Sequence, residues 1–400
     1  MPSTVKPFYA TYYNPELFRD YSFLVCPPYD VISKDALIRL RKKSIYNFSH
    51  VLLADNNNYK AIGNKLNEWL KKRVLIDGEE QSFYLYEQLF NLEGKLLRRF
   101  GILTLLKMDK KGIFPHEYTL RAPKEDRKKI IKAARANLSP IFVIATKPLK
   151  ALRELYAFYT KKQPFLKFKD DGGIANRVWK ISDPEKIKYI IKEIDKSKLV
   201  IADGHHRFEI SYDYFKKNKN NFKDLNYILA YVTDCQEGLA ILPTHRIIKL
   251  MEDKESFFKK VSEYFRIKEI SQDSLEEKLK KSACFCLGLY YKRKFFFLEL
   301  KDRDLLDKIS DKAYRNLDTY VFHQLFLPLF KTSGAIEYTH NIDEAKKIAG
   351  LKKVAFLLRA TSLDSVITIS SQGLRLPQKS TYFYPKLLSG IVLRRFRKHG

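Results

Sequence analysis

Five consecutive residues carry the most specific chemistry of the chain, and we call them the Asp203–Arg207 box: Asp203, Gly204, His205, His206 and Arg207. A guanidinium and two imidazoles donate hydrogen bonds to anionic oxygens, above all to those of phosphate. A carboxylate is a ligand that Mg²⁺ prefers. The residue types therefore indicate an anion site, although paired histidines also occur as ordinary surface residues, and both interpretations stay open at this point.

The residues around the box predict a strand that turns into a helix. Residues 199–202 form an apolar run the size of a buried strand, and Gly204 suits a turn because glycine adopts backbone angles that other residues avoid. Phe208, Tyr212 and Phe215 then recur at helical spacing. The box therefore falls on the first turn of a helix, where backbone N–H groups and the helix dipole attract anions.

A second polar stretch, 114–127, concentrates ionisable side chains between and beyond two prolines. His116 and Glu117 follow the first proline, and Glu117 can act as a general base if an acceptor hydroxyl lies against it. A solvated loop explains the charges from Lys124 onward equally well, and this alternative stays open.

The composition describes a globular protein with a large excess of positive charge. Hydrophobic residues make up 45% and charged residues 30% of the chain, and 75 Lys and Arg against 46 Asp and Glu give a net charge of +29. The excess is spread along the chain, which makes a nucleic-acid partner possible but does not favour it over anionic small molecules. No apolar run approaches the ~18 residues that cross a bilayer, and the four cysteines are scattered. We therefore expect a cytoplasmic protein with no membrane partner.

The order of predicted elements indicates an α+β fold in three regions: an N-terminal α/β region over 1–98, a core over 99–248 that holds the box, and a C-terminal α/β region over 249–400. Glu93-Gly94 between two apolar arms predicts a hairpin. Residues 227–233 and 239–242 are predicted to form another hairpin. In the third region, 377–386 is a polar, aromatic stretch bounded by prolines that suits either a phosphate contact or an ordered surface loop.

Six stretches together resemble the bacterial "domain of unknown function 1015" family over nearly the whole chain. They are Cys26-Pro-Pro-Tyr-Asp30, His116-Glu-Tyr-Thr119 with Lys124 and Arg127, the Asp203–Arg207 box, Leu242-Pro-Thr-His-Arg246, Tyr338-Thr-His340 and Pro377-Gln-Lys-Ser-Thr-Tyr-Phe-Tyr-Pro-Lys386. The name of that family states no activity.

The box by itself resembles the phosphate-binding box of the ParB/sulfiredoxin-like fold. This resemblance implies a ParB/sulfiredoxin-like nucleotide-binding core between the two α/β regions. Sulfiredoxins have a reactive cysteine where this chain has His205, which argues against sulfinic-acid reduction. Free-serine kinases of this fold have the same Asp-Gly-His-His-Arg sequence, and their earlier acidic residue is similar in placement to Glu117. ParB proteins use the box to bind CTP and to control a clamp on DNA.

The kinase hypothesis gives each residue a role. Glu117 takes the proton from an acceptor hydroxyl, with His116 beside it as a catalytic residue, and Asp203 is both catalytic and the Mg²⁺ ligand. The cofactor, ATP or ADP, is held by the remaining candidates: Gly204, His205, His206, Arg207, Thr119, Lys124 and Arg127. The resemblance makes an L-serine-like metabolite the first acceptor candidate.

Two other functions stay open from the sequence. One is a non-catalytic ParB-like nucleotide-binding regulator, possibly associated with DNA. The other is a metal-dependent hydrolase with ligands among the histidines, namely His116, His205, His206 and His245, although adjacent histidines are poorly spaced for a zinc site.

Overall fold

The structure is a computed structural model that describes residues 3–109, 112–115, 117, 122–235 and 238–398. It divides into two compact units. Unit 1 takes the described residues up to Pro115, those between 122 and Leu239, and those from Pro385 onward; unit 2 takes Glu117 and Ala240–Tyr384. Both units combine helices with β-sheets, so the prediction of a mixed α/β architecture is confirmed.

Unit 1 contains the larger sheet and the helices that cover it. Its elements are β1 Val5–Lys6, β2 Thr11–Tyr13, α1 Lys34–Lys43, α2 Ser49–Leu52, α3 Tyr59–Lys71, β3 Leu75–Asp77, β4 Phe83–Leu92, β5 Lys95–Lys107, β6 Ile113–Pro115, α4 Ala122–Ala134, β7 Ala136–Asn137, β8 Ile141–Ala145, α5 Lys150–Tyr159, β9 Leu166–Lys169, β10 Ala175–Ile181, α6 Pro184–Ile194, β11 Leu199–Asp203, α7 His205–Asn218, β12 Tyr227–Asp234 and, last in the chain, β21 Arg394–Arg395. Short 3₁₀ turns cover Tyr29–Val31 and Asp55–Asn57.

The main sheet of unit 1 is mixed. Within the described residues its strand order is β6-β11-β8-β12-β5-β4-β10-β9, with β1 paired to β5. β11 runs parallel to β6 and antiparallel to β8. Its register against β8 shifts between Ile201 and Asp203, so the strand that leads into the box ends in a β-bulge. Bulges re-aim the side chains beside them and are over-represented next to functional sites.

The predicted strand-to-helix transition at the box is confirmed by β11 and α7. Leu199, Ile201 and Phe208 are buried in one hydrophobic cluster, against which Tyr212 and Phe215 pack partly buried. Burial of this apolar face fixes which side of α7 meets the sheet.

Unit 2 contains a separate sheet. Its elements are β13 Ala240–Leu242, β14 His245–Leu250, α8 Lys254–Tyr264, β15 Phe265–Ile270, α9 Gln272–Lys281, β16 Cys286–Tyr291, β17 Lys294–Leu300, α10 Asp318–Val321, β18 Thr332–Thr339, α11 Ile342–Ala349, β19 Val354–Leu357, α12 Leu363–Ser371 and β20 Tyr382–Tyr384. Among the described residues the sheet order is β15-β17-β16-β19-β14-β18, and β13 pairs with β20. A π-turn, Phe322–Phe326, continues α10.

One predicted hairpin is confirmed and another is wrong. β4 and β5 pair antiparallel around Glu93-Gly94, and both turn residues have the positive φ that such a turn needs. Residues 227–233 and 239–242 do not form a hairpin, because β12 pairs with β5 and β8 while β13 pairs with β20. The sequence showed two apolar runs near each other, and their partners lie far away in the chain.

Two predictions from composition can be compared with the structure. All four cysteines are free thiols, and Cys26 and Cys286 are buried. In the described parts of the chain, no helix has both the length and the apolar character needed to cross a membrane.

Candidate functional site

The backbone of the box is shaped by Gly204, which precedes the first residue of α7. Gly204 has φ +92°, in the left-handed region that other residues rarely adopt. A Cβ added there would lie 3.0 Å from the guanidinium carbon of Arg207 and 3.0 Å from Cγ2 of Ile141. The glycine therefore allows the chain to turn sharply from β11 into α7, and it places the next three residues on the first helical turn.

Two cations hold the carboxylate of Asp203. Nη2 of Arg207 lies 2.7 Å from Oδ2, and Nζ of Lys386 lies 3.2 Å from Oδ1. The Asp203 side chain is 21% exposed and that of Lys386 only 11%. Arg207 also donates to the carbonyl oxygen of Pro140, which fixes the orientation of its guanidinium plane.

The electrostatics of the box show a surplus of positive charge. Burial raises the pKa of the Asp203 carboxyl, but the charges of Lys386 and Arg207 outweigh burial and hold that pKa well below its ordinary value. The fully buried Arg99 also interacts with this carboxylate: burial lowers the pKa of Arg99, and the charge of Asp203 raises it. One carboxylate therefore pairs with two cations, Arg207 and Lys386, beside the His205 imidazole, and such a surplus of positive charge attracts an anion.

Lys124 and Arg127, predicted to contact phosphate, both project from α4 and both have protein partners. Nζ of Lys124 lies 2.5 Å from Oε2 of Glu209 on α7. Nε of Arg127 donates to Asp126 at 2.7 Å, and its Nη1 donates to the Leu52 carbonyl at 2.9 Å. A phosphate contact by either side chain would use its remaining N–H groups or require it to change partner, so these two roles stay predictions.

Arg127 and Arg207 line the same cavity, together with Tyr29. The Arg127 guanidinium lies 4.2 Å from the Tyr29 ring centroid, a cation–π contact. The cavity has a volume of about 60 Å³, and its other lining residues are mostly apolar: Leu52, Ile130, Ile131, Ala136, Asn137, Leu138, Ser139, Ile210, Ser211 and Ile228. A space of this size holds a few water molecules and not a purine ring.

Tyr29 keeps its proton at neutral pH. Burial raises the pKa of its phenol to about 12, an increase that Arg207 and Arg127 partly oppose. The hydroxyl is therefore available as a hydrogen-bond donor beside two guanidinium groups.

Glu117, the predicted general base, belongs to unit 2 and is positioned there by backbone contacts. The backbone N–H of Lys379 donates to Oε1 of Glu117 at 2.9 Å, and Glu117 pairs with Leu376 in an isolated parallel bridge. Two further candidates of the 114–127 stretch, His116 and Thr119, lie outside the described residues.

Arg246 is a buried cation of unit 2. Like Glu117, it forms a hydrogen bond with the backbone of Lys379. Its side chain is fully buried, and Nη2 donates to the Lys379 carbonyl at 3.1 Å. Nε lies 3.4 Å from Nε2 of His323, and the guanidinium lies 5.5 Å from the Tyr338 ring centroid. Burial lowers the pKa of Arg246 to about 10, while Tyr338 and Glu117 oppose the decrease. The backbone of Lys379 therefore connects the candidate base to a permanent positive charge.

His245 is a neutral, buried imidazole next to this arginine. Its Nδ1 accepts a hydrogen bond from the Leu358 N–H at 3.3 Å, so the ring proton resides on Nε2, which has no hydrogen-bond partner among the described residues. Burial, and after it the charge of Arg246, lower the pKa of His245 to about 3. Within the described parts of the chain there is no group of three or more His, Cys, Asp or Glu side chains that could hold a metal ion. The hydrolase hypothesis therefore gains no support.

The neutral histidines of unit 2 predict a pH dependence of its stability. Burial lowers the pKa of His323 to about 4 and that of His245 to about 3, both below the ordinary value of 6.5. Between those values and 6.5 the unfolded chain binds more protons, so the free energy of unfolding falls as the pH falls, by up to about 1.4 kcal/mol per pH unit for each imidazole. We expect urea unfolding followed by circular dichroism to give a lower midpoint at pH 5 than at pH 7.

The control for this prediction is a pair of single variants, His245→Gln and His323→Gln. Each should reduce the difference between the two midpoints, because one titrating group has been removed. If both variants keep the pH dependence of the wild type, the imidazoles are not its cause.

The sequence did not single out Lys386, Arg99 or Tyr29 as individual site residues. For two of them the sequence offered an indication, because Tyr29 belongs to the Cys26–Asp30 stretch and Lys386 ends the 377–386 stretch, and both stretches carry the family resemblance. The sequence offered no such indication for Arg99, because an arginine in an apolar strand is expected to place its charged end in solvent.

The arrangement in unit 1 combines a strand, a positive-φ glycine and a helix N-terminus with two cations that pair with one carboxylate, in a mixed α/β protein. This arrangement has the chemistry expected of an anion site, and the binding of an anion there stays a prediction.

The chain belongs to the family described as "Protein of unknown function (DUF1015)", which matches residues 5–320. No curated protein matches the chain.

Three solved structures illustrate the structural comparison. A free serine kinase in complex with ADP is 12% identical, with 70% of this chain and 87% of that chain covered and a TM-score of 0.37. A conserved hypothetical protein from Pyrococcus furiosus is 12% identical, with coverages of 74% and 94% and a TM-score of 0.36. SbnI with a C-terminal truncation, from Staphylococcus aureus, is 12% identical, with coverages of 72% and 85% and a TM-score of 0.38. TM-scores of this size do not establish a common fold.

Proposed function

We propose that the protein is a nucleotide-dependent kinase that transfers a phosphoryl group from ATP or ADP to the hydroxyl of a small metabolite, with an L-serine-like compound as the first acceptor candidate. The observation that carries this proposal is the surplus of positive charge around Asp203 at the start of α7. Phosphoryl transfer depends mainly on positioning and on neutralising phosphate charge, which is what such a cluster supplies. The proposal includes a ParB/sulfiredoxin-like core. It also includes a cytoplasmic location, because free thiols suit a reducing compartment.

The phosphates of the nucleotide bind at the first turn of α7. The backbone of Gly204, His205 and His206 contacts the phosphate oxygens. The positive charges of Arg207 and Lys386 compensate the negative charge of the phosphates. Lys124, Arg127 and Thr119 are the further candidates for contacts to the transferred group. The small cavity at Tyr29 must widen if the base of the nucleotide is to enter it.

Magnesium is part of the proposal as an ion that arrives with the nucleotide. Both oxygens of Asp203 already face a cation, and the described residues provide no cluster of ligands for a metal ion. One carboxylate nevertheless suits Mg²⁺, which proteins usually hold through one or two carboxylates together with substrate phosphates. Asp203 is the residue that would hold it, and the ion would neutralise phosphate charge there.

Glu117 accepts the proton of the acceptor hydroxyl, and His116 precedes it in the chain as a second catalytic candidate. The N–H of Lys379 fixes one oxygen of Glu117, which leaves the orientation of the carboxylate defined. Positioned bases of this kind contribute about 10²- to 10⁴-fold to a rate.

The direct test mixes the purified protein with ATP or ADP, Mg²⁺ and a panel of hydroxylated metabolites that includes L-serine. Mass spectrometry detects a phosphorylated acceptor, and omission of Mg²⁺ tests the metal. Nucleotide binding without any phosphorylated acceptor would contradict the kinase activity, and failure to bind any nucleotide or phosphate would overturn the phosphate site as well.

Removing the charge of Lys386 should weaken nucleotide binding. We expect the Lys386→Met variant to bind ADP about 10- to 100-fold more weakly in calorimetry, because a charge-assisted hydrogen bond contributes about 1.5–3 kcal/mol. Lys398→Met, an exposed lysine of the same C-terminal segment, is the matched control and should bind like the wild type. Equal affinity of both variants would exclude Lys386 from the site.

A nucleotide-binding regulator that associates with DNA is the second candidate, and a groove of unit 1 favours it. The groove has a volume of about 730 Å³ and lies between α3 and α4. Its charged lining residues are all basic: Lys60, Lys129, Lys132, Arg135 and Arg395. Retention of the protein on DNA that decreases steeply with salt, without phosphorylation of any acceptor, would support this candidate over the kinase.

A further inference from the structure

A cavity in unit 2, away from the Asp203–Arg207 box in the chain, has the size and lining of a ligand site. Its volume is about 460 Å³, within the ~300–1,000 Å³ of small-molecule pockets. Three arginines and one aspartate line it: Arg303, Arg315, Arg359 and Asp318. We call it the three-arginine cavity.

Arg359 is the most firmly held of the three. Its Nε and Nη2 donate to the two oxygens of Asp318 at 2.7 and 2.6 Å, and Nη1 donates to the Ser282 carbonyl at 2.7 Å. The carboxylate of Asp318 is 4% exposed, so the pair is nearly buried on one side while Arg359 lines the cavity on the other. A guanidinium fixed in this way loses little further freedom when it binds an anion.

The other two arginines differ in how their charge is balanced. Arg315 donates to the Ile309 carbonyl at 2.9 Å and pairs with Asp307. Arg303 contacts the sulfur of Cys284, and among the described residues no carboxylate pairs with it. The positive charge of Arg303 is therefore uncompensated within the cavity.

The N-terminus of α12 lines the same cavity. Ser362 precedes the helix, accepts a hydrogen bond from the Ser365 N–H at 3.1 Å, and both hydroxyls belong to the lining. The dipole of α12 adds positive potential to that of the arginines, and the hydroxyls and the Asn316 amide can donate further hydrogen bonds.

We propose that the three-arginine cavity binds a small metabolite with two or more anionic groups, carboxylate or phosphate. The cavity is larger than a single inorganic phosphate needs, and the arginines with the helix N-terminus provide more than one place for negative charge. This site goes beyond the proposed kinase activity and does not depend on it, since its residues all belong to 283–365 of unit 2.

Cys284 makes the site testable without knowing its natural ligand. The thiol lines the cavity and is half-buried, so an occupant should protect it from alkylation by iodoacetamide. Cys235 belongs to unit 1 and serves as an internal control in the same sample. Peptide mass spectrometry measures both rates of alkylation in the full-length protein with citrate, pyrophosphate, inorganic phosphate or sodium chloride at equal ionic strength.

We expect citrate or pyrophosphate to slow the alkylation of Cys284 at least fivefold at millimolar concentration while that of Cys235 stays unchanged. Protection by citrate alone would assign a polycarboxylate, and protection by pyrophosphate alone would assign a phosphorylated ligand. Arg303→Gln should remove the protection. Lys308 ends the 3₁₀ turn Arg303–Lys308, is exposed and does not line the cavity, so Lys308→Gln should keep the protection. Equal alkylation rates in all four salts, or protection that survives in Arg303→Gln, would overturn the proposal.

Discussion

Replacing Glu117 by glutamine should lower the rate of phosphoryl transfer by about 10²- to 10⁴-fold, the contribution of a positioned general base. Glutamine keeps an oxygen that accepts the hydrogen bond from the Lys379 N–H, so the local backbone is preserved. It cannot take a proton from the acceptor hydroxyl. Initial rates at saturating nucleotide and acceptor measure the loss, and calorimetry should give an unchanged affinity for ADP.

The matched control for Glu117→Gln is Glu337→Gln, which makes the same chemical change in unit 2. Glu337 pairs with Lys353 near the surface and belongs to no candidate site, so its variant should keep the wild-type rate. A rate for Glu117→Gln within tenfold of the wild type would exclude Glu117 as the base. Binding of ADP that is lost together with the rate would indicate a defect in folding or in the nucleotide site.

Replacing Asp203 by asparagine should destabilise unit 1 by about 2–4 kcal/mol. The change leaves the nearly enclosed cations Lys386 and Arg207 without their carboxylate, and loss of one partner of a buried pair is costly. Both tryptophans, Trp69 and Trp179, are buried in unit 1, so their fluorescence in urea reports the unfolding of that unit alone. Asp213→Asn on the exposed side of α7 is the control and should change stability by less than about 0.5 kcal/mol.

The same Asp203→Asn variant separates two roles of the carboxylate. If Asp203 mainly balances the surrounding cations, its loss exposes their charge, and the folded variant should bind inorganic phosphate more tightly than the wild type. If Asp203 also holds magnesium, phosphoryl transfer should fall while phosphate binding persists. Phosphate binding that weakens in the folded variant would contradict the electrostatic account of the site.

Local features of the site could be predicted from the sequence because they depend on neighbours in the chain. An apolar run, one glycine and three aromatic residues at helical spacing were enough to predict β11, the turn and α7. The start of α6 also depends on neighbours in the chain, since Asp183 accepts hydrogen bonds from the N–H groups of Glu185 and Lys186.

The remaining features depend on partners that no periodicity encodes. Lys386 reaches Asp203 across 183 residues, and Lys379 reaches Glu117 across 262. The hairpin predicted for 227–242 failed for the same reason, because strand partners are chosen by the burial of whole faces and not by proximity in sequence. Boundaries drawn along the chain likewise could not anticipate that unit 1 resumes at Pro385.

The return of the chain to unit 1 at Pro385 has a consequence for the order of events during synthesis. β11, Gly204 and α7 leave the ribosome long before Lys386, which follows the whole of unit 2. A nascent chain that stops short of Pro385 carries the box with Arg207 but not Lys386, the second cation that pairs with Asp203, and it lacks the β21 strand that pairs with β7. The charge balance of the box is therefore completed only after unit 2 has been synthesised.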